Sequence, residues 1–215
     1  MTRIVAISDT HSQLDKIDLP EGDILISAGD ITYRGTLAEM TKQLDILQEK
    51  GSKFKSTILV LGNHDFLGQD MPYLTRIMCE ERKIIWLQGT GVTIDGINFY
   101  GDATTPEFFD WAFMKKRGEE IAQVWKNIPD DTNVLITHGP AEGFRDLLKD
   151  GVTHVGCEEL SNRIIELNYL RLHCFGHIHY SYGTEVVGNT TFINASICTE
   201  AYKPTNPPIV FDYIK

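Results

Sequence analysis

Apolar, β-branched runs recur along the chain, and each ends on small or polar residues. Residues 3–8 (Arg-Ile-Val-Ala-Ile-Ser), 23–28 (Asp-Ile-Leu-Ile-Ser-Ala), 57–61 (Thr-Ile-Leu-Val-Leu), 133–137 (Asn-Val-Leu-Ile-Thr) and 171–175 (Arg-Leu-His-Cys-Phe) all have this form. Their continuous apolar character predicts strands buried on both faces. Helical periodicity lies between them. Leu37, Met40, Leu44 and Leu47 predict a helix capped by Thr36, with Glu39 completing a capping box and Gly51 as the stop. Residues 70–82 predict a second helix with Pro72 in its first turn. Residues 106–127, with Phe109, Phe113, Ile121 and Trp125, predict a third, either continuous or broken at Gly118, and 157–168, with Leu160, Ile164, Ile165 and Leu167, a fourth. Residues 182–187 and 190–195 flank Gly188-Asn189, a hairpin signal, and 209–213 read as a last strand. Strand–helix units, consecutive strands and the lack of any repeat or linker predict one α/β domain spanning residues 1–215.

Composition narrows the function classes. The chain has 215 residues, 42% apolar and 23% charged, as in an ordinary globular domain. The run Ile4-Val5-Ala6-Ile7 stops at Ser8 and Asp9, too short for a membrane span and unlike a signal peptide. The expectation is a mature chain beginning near Met1, in the cytoplasm, with no membrane partner. Cys79, Cys157, Cys174 and Cys198 form no close pair and read as reduced, buried thiols. Twenty basic against thirty acidic residues give a net charge of −10, which argues against long nucleic acids as partners.

The candidate chemistry falls at the strand ends. Asp9-Thr10-His11 follows the first strand, Gly29-Asp30 the second and Gly62-Asn63-His64-Asp65 the third. His138-Gly139 follows the fourth, and Gly176-His177-Ile178-His179 the fifth. Groups just beyond the carboxyl ends of strands converge on one crevice in α/β sheets. Carboxylate, amide oxygen and imidazole suit Mn, Fe, Zn or Co, and no thiolate occurs in any block. Alone, each block reads as a turn or a cap; five in order read as one site. His173, in mid-strand, reads as a packing residue, and His154, in a glycine-flanked loop, as structural.

The order D-x-H, G-D, G-N-H-D, a lone His and G-H-x-H resembles the calcineurin-like metallophosphoesterase superfamily. Further segments, among them Gly22–Ile26, Thr137–Pro140, Val155–Leu160 and Pro204–Pro208, are similar to the metallophosphoesterase-domain branch found in vertebrate brain. That branch lies near the class III cyclic-nucleotide phosphodiesterases. The resemblance implies two mixed sheets packed face to face with helices outside. It implies two transition-metal ions, Mn2+ foremost in vitro. Asp9, His11 and His179 would hold one, Asn63, His138 and His177 the other, and Asp30 would bridge them. Some members of the branch lack the first histidine of G-H-x-H, whereas His177 is present here.

The implied reaction is phosphodiester hydrolysis, with cyclic nucleotides as candidate substrates. In that reaction a metal-bridging hydroxide would attack phosphorus, and His64, oriented by Asp65, would protonate the leaving oxygen. The alternatives on this scaffold are a phosphomonoesterase or protein phosphatase, or a slow nucleotide-binding regulator. Phe108, Phe109, Trp111 and Phe113 form either a base-stacking wall or the buried face of an ordinary helix, and the helix is the expectation. Arg34 and Arg145 follow ligand blocks and are either phosphate contacts or solvated surface arginines.

Overall fold

The computed structural model describes residues 1–214. Strands β1 (Thr2–Ile7), β2 (Ile24–Ala28), β3 (Ser56–Val60) and β4 (Ile84–Trp86) run parallel, and the last strand, β13 (Ile209–Tyr213), lies antiparallel beside β1. Helix α1 (Leu37–Gly51) crosses from β2 to β3, and α2 (Phe66–Asp70) and α3 (Pro72–Glu81) cross from β3 to β4. The capping box at Thr36 and Glu39 is formed, and Pro72 opens α3, where its missing N–H leaves no gap.

The second sheet has the order β11-β12-β10-β9-β6-β5. Its strands are β5 (Thr90–Ile94), β6 (Ile97–Asp102), β9 (Val134–Thr137), β10 (Leu172–Phe175), β11 (Gly183–Val187) and β12 (Thr190–Asn194). The four central strands are parallel, and a hairpin strand lies antiparallel at each edge. β5 and β6, together with β4, occupy residues 84–102, a stretch without a long apolar run. The turn of that hairpin is Asp95-Gly96, both at positive φ (52° and 72°), as a tight hairpin requires.

Alternation along the strands builds two cores. Val134, Ile136, Leu172, Cys174 and Ile193 share one core with Ile4, Ile26 and Ile58, so the two sheets pack face to face. Leu135, Phe175 and Phe192 point the other way, onto Ile121 and Trp125 of α4 (Glu119–Trp125) and Leu160 and Ile164 of α5 (Glu158–Glu166). The sheets also join directly: Ser8 N–H donates to Ala195 O (2.9 Å), and Ile197 N–H donates to Ser8 O (2.8 Å). That link sets the carboxyl ends of both sheets side by side.

The helix expected over 106–127 does not form as such. Only α4 is helical; residues 105–106 and 114–115 pair as the short strands β7 (Thr105–Pro106) and β8 (Met114–Lys115), with an irregular loop between. Phe109 and Phe113 sit at positive φ (55° and 58°), which a right-handed helix excludes. Among the described residues no helix is long and apolar enough to cross a membrane. All four cysteines are buried and unpaired.

His173 is a packing residue, wedged between Phe175 and Phe192, with Nε2 2.8 Å from Thr137 Oγ1 and Nδ1 without a partner. Burial pushes its pKa from 6.5 down to about 3. Between those values the unfolded chain binds the extra proton, so this residue makes stability fall as pH drops through the window. For metal-free protein, urea denaturation between pH 6.5 and 5 should show wild type losing about 2 kcal/mol more than His173→Gln. Equal losses in the two proteins would remove His173 as a source of acid sensitivity.

Candidate metal centre

Each strand end turns sharply to deliver its polar residues. Asp9, His11, Asp30 and His177 all have positive φ (52°, 42°, 52° and 67°). In non-glycine residues this conformation costs on the order of 1–3 kcal/mol each and concentrates at functional sites. The flanking glycines are required by close approach. A Cβ at Gly62 would overlap Asp30 Oδ1, and one at Gly176 would overlap Asp9 Oδ2. The glycine of one block thus seats the carboxylate of another.

Nitrogen and oxygen atoms converge in the space so formed. Asp9 Oδ1 lies 3.4 Å from His179 Nε2, which lies 3.2 Å from His11 Nε2. Asp30 Oδ2 lies 3.8 Å from His11 Nε2 and 3.4 Å from His138 Nε2, and His138 Nε2 lies 2.9 Å from Asn63 Oδ1. His177 sets its ring edge-on to His138, with centroids 5.0 Å apart, and its backbone N–H donates to Asp9 Oδ2 (2.9 Å). Six of the seven ligand residues predicted from sequence therefore meet through side-chain atoms at these distances, and His177 lines the same cavity.

Backbone carbonyls set the imidazole tautomers. His138 Nδ1 donates to Ala28 O (3.0 Å) and His179 Nδ1 to Thr199 O (3.0 Å), so each Nε2 is turned inward. Such contacts fix ring orientation and raise ligand basicity. Asp9 also accepts from Ser196 Oγ (2.7 Å), itself 2.8 Å from Asn194 Oδ1. Ser196 follows β12 at the sixth strand end, where the same apolar-to-polar change in Ile193-Asn194-Ala195-Ser196 was available in the sequence.

The electrostatics fit cations. Burial alone would raise the Asp9 and Asp30 pKa values, yet His179 and His138 respectively hold them below the usual carboxylate range. Burial disfavours charge on His138, but Asp30 outweighs it and lifts the imidazole to about 9. Burial lowers His11 and His177 to about 4. Histidines are thus the only ion-pair partners of the two buried carboxylates, with no Lys or Arg in such contact among the described residues. Ligand atoms of Asp9, His11 and His179 all lie within 4.8 Å of one another, as do those of Asp9, Asp30 and His138. Hard-to-borderline divalent ions suit this donor set, and the proton on His138 occupies charge space that a cation would take.

His64 and Asp65 differ from each other in role. His64 Nδ1 donates to Tyr33 O (2.8 Å), its Nε2 lies 4.0 Å from Asp30 Oδ2, and its ring stacks on Trp111 at 4.3 Å. Asp65 does not orient it. The Asp65 carboxylate turns away and accepts from Thr32 N (2.9 Å), Thr32 Oγ1 (2.7 Å), Ile31 N (3.3 Å) and Gly62 N (2.8 Å). Asp65 is therefore a clamp between the β2 and β3 loops. Burial, with help from Asp30, pushes its carboxyl up to about 6 against the opposing hydrogen bonds from Thr32 and Gly62.

A cavity of about 310 Å³ opens over these groups. Phe108 and Trp111 line it, while Phe109 is exposed and Phe113 packs on the core, so the aromatic run divides. Sequence reasoning missed Tyr202, whose ring lies edge-on to His11 at 4.7 Å, and Tyr33, 5.3 Å from Tyr202. It also missed Leu148, Tyr180 and Glu200 on the rim. None of these carried a signal, because Tyr33, Leu148, Glu200 and Tyr202 sit in irregular segments and Tyr180 in a single 3-10 turn. Neither arginine lines the cavity: Arg34 is exposed, and Arg145 donates from Nη2 to Tyr182 O (2.6 Å). His154 is tied to buried Asp146 (Nδ1 to Oδ1, 2.6 Å), a structural contact.

Two packed mixed sheets with a buried Asp/His/Asn cluster at their joined carboxyl ends define a metal-dependent phosphoesterase scaffold. Residues 2–181 match the calcineurin-like phosphoesterase family, and the chain belongs to it. It is 39% identical over 232 residues to metallophosphoesterase domain-containing protein 1 of Homo sapiens, covering 98% of this chain and 71% of that protein. It is 37% identical to the UPF0046 protein K07C11.7 of Caenorhabditis elegans, covering 97% and 74%. Among solved structures it resembles TT1561 of Thermus thermophilus (TM-score 0.60, 13% identity, 90% and 88% covered). It also resembles a novel archaeal phosphodiesterase (TM-score 0.50, 16% identity, 98% and 93% covered). At these identities the structural likeness is one of fold.

Proposed function

We propose that this protein hydrolyses phosphodiesters, cyclic nucleotides among them, with two transition-metal ions of which Mn2+ is the expected activator in vitro; Fe, Zn or Co suit the same donors. The observation that carries the reading is the buried convergence of Asp9, His11, Asp30, Asn63, His138 and His179, with His177 beside them and, among the described residues, no lysine or arginine in ion-pair contact with the two carboxylates. Asp9, His11 and His179 would hold one ion, Asn63, His138 and His177 the other, and Asp30 both. When bound, the pair supplies positive charge that acidifies water and neutralises phosphoryl oxygens.

The chain's own residues do the rest. The carbonyl of Tyr33 holds Nδ1–H of His64, which leaves Nε2 facing the cleft as the atom that would carry the transferable proton. As water oxygen bonds to phosphorus and the ester P–O bond breaks, that proton passes to the departing oxygen. Trp111 fixes the ring plane by stacking. Four buried thiols support a reducing compartment, the cytoplasm, and the net charge of −10 supports a small substrate over a polyanion.

Elemental analysis after Mn2+ loading should approach two equivalents per chain. Bis-p-nitrophenyl phosphate should exceed p-nitrophenyl phosphate in kcat/KM. A single equivalent in active protein would overturn the two-metal assignment, and a faster monoester would favour the phosphomonoesterase alternative.

A further inference from the structure

We infer that the cleft selects phosphodiesters carrying a single negative charge and a flat uncharged group, and that Glu200 is the residue that enforces this. The inference deepens the proposed phosphodiesterase reading and rests on it. Among the described residues no lysine or arginine lines the cavity. Its one carboxylate besides Asp30 is Glu200. Phosphate-handling sites ordinarily meet additional phosphates with Lys or Arg. Here any charge beyond the one over the ligand cluster meets an acidic side chain and aromatic faces.

The rim fixes where Glu200 stands. Thr199 accepts from His179, and Tyr202 packs its ring against His11, so the segment carrying Glu200 is anchored to two candidate ligands. Gln13 holds that segment from below, donating from Nε2 to Tyr202 O (2.9 Å). Trp111, stacked on His64, and Phe108 line the same cavity, offering flat apolar faces for a base or ring. Lys149 approaches Glu200 at 3.8 Å, but the two side chains are 77% and 51% exposed. Exposed pairs of this kind are screened and weak, so Lys149 softens the negative field without cancelling it.

The test compares two esters with one scissile group. Thymidine 5′-(p-nitrophenyl phosphate) carries one charge; its 3′-phosphorylated counterpart carries up to two more, away from the reacting bond. With Mn2+-loaded protein, kcat/KM should favour the singly charged ester by roughly tenfold or more, since like charges in a part-solvated cleft repel. Glu200→Gln should narrow the ratio about threefold, Glu200→Lys should narrow it further, and Lys149→Ala should widen it.

A binding arm runs beside it. Trp86 and Trp125 are buried, so quenching of Trp111 reports occupancy of the cleft. Thymidine 5′-phosphate should bind more tightly than thymidine 3′,5′-bisphosphate, and the same variants should shift that preference. A wild-type ratio near one in both arms, or Glu200 variants that change both ligands alike, would overturn the inference. Charge preference in binding without turnover of either ester would support the selectivity and remove the hydrolytic reading. Turnover without charge preference would do the reverse.

Discussion

Asp30→Asn should lower Mn2+ content from about two equivalents to below one and reduce kcat/KM by about 10³-fold or more, the largest loss expected of any single substitution here. Asp30 Oδ2 faces His11 on one side and His138 on the other, at 3.8 and 3.4 Å. Asp30 Oδ1 meanwhile accepts from His64 N–H at 2.8 Å. An asparagine keeps that acceptor and the shape, so the β2 loop is spared while the charge is lost. Asp9→Asn is the informative comparison. Its carboxylate pairs with His179 at 3.4 Å and is held by Ser196 and the His177 N–H, so its loss should chiefly weaken one site. Metal binding to the native state raises stability by mass action. The rise in Tm on Mn2+ loading should therefore nearly vanish in Asp30→Asn and persist in part in Asp9→Asn. Calorimetric titration of both variants checks the claim, and equal losses would show that Asp30 does not serve two ions.

What the sequence disclosed and what it hid follow from the same physics. β1, β2, β3, β9 and β10 are buried along almost their whole length, so they appear as apolar runs with a polar residue at the crevice where each ends. Asp9, Asp30, Asn63, His138 and His177 were legible for that reason. β6, equally central, is interrupted by Asn98 and Gly101 and shows no such run. Edge strand β5 lacks that signature too: Thr90, Gly91 and Thr93 are exposed and only Ile94 is buried, so Asp95-Gly96 is the one mark of its hairpin. The helix expected over 106–127 fails for a different reason. Phe109 and Phe113 have helical spacing, but Phe109 is exposed, Phe113 reaches the core and Trp111 stacks on His64. Tertiary hydrogen bonds hold the segment open, with Ala112 N–H donating to Asn63 O (3.1 Å) and Phe113 N–H to Gln69 Oε1 (2.7 Å). For Asp65, adjacency in sequence suggests contact with His64, and the structure shows none. The turn instead points successive side chains apart, and a carbonyl 31 residues away does the orienting.

His64→Ala separates proton transfer from metal binding. Asn63 and His64 are neighbours in one turn, and they face different groups: Asn63 Oδ1 meets His138, whereas His64 is held between the Tyr33 carbonyl and the Trp111 ring. Distance alone permits a second role, because ligand atoms of His11, Asp30 and His64 also lie within 4.8 Å of one another. The two roles predict different results. A proton donor matters only when the departing oxygen is a poor leaving group, and such assistance is worth about 10²–10⁴-fold. His64→Ala should therefore keep two equivalents of Mn2+ and lose about 10²-fold or more in kcat on a cyclic nucleotide, whose alkoxide needs protonation. On bis-p-nitrophenyl phosphate the loss should stay within roughly tenfold, because phenolate departs unaided. Loss of one metal equivalent in the variant would make His64 a ligand. Equal slowing of both substrates with metals intact would make it a phosphate-positioning group. A large loss confined to the alkoxide substrate leaves proton donation from Nε2, the atom the Tyr33 carbonyl turns toward the cleft, as the role that accounts for it.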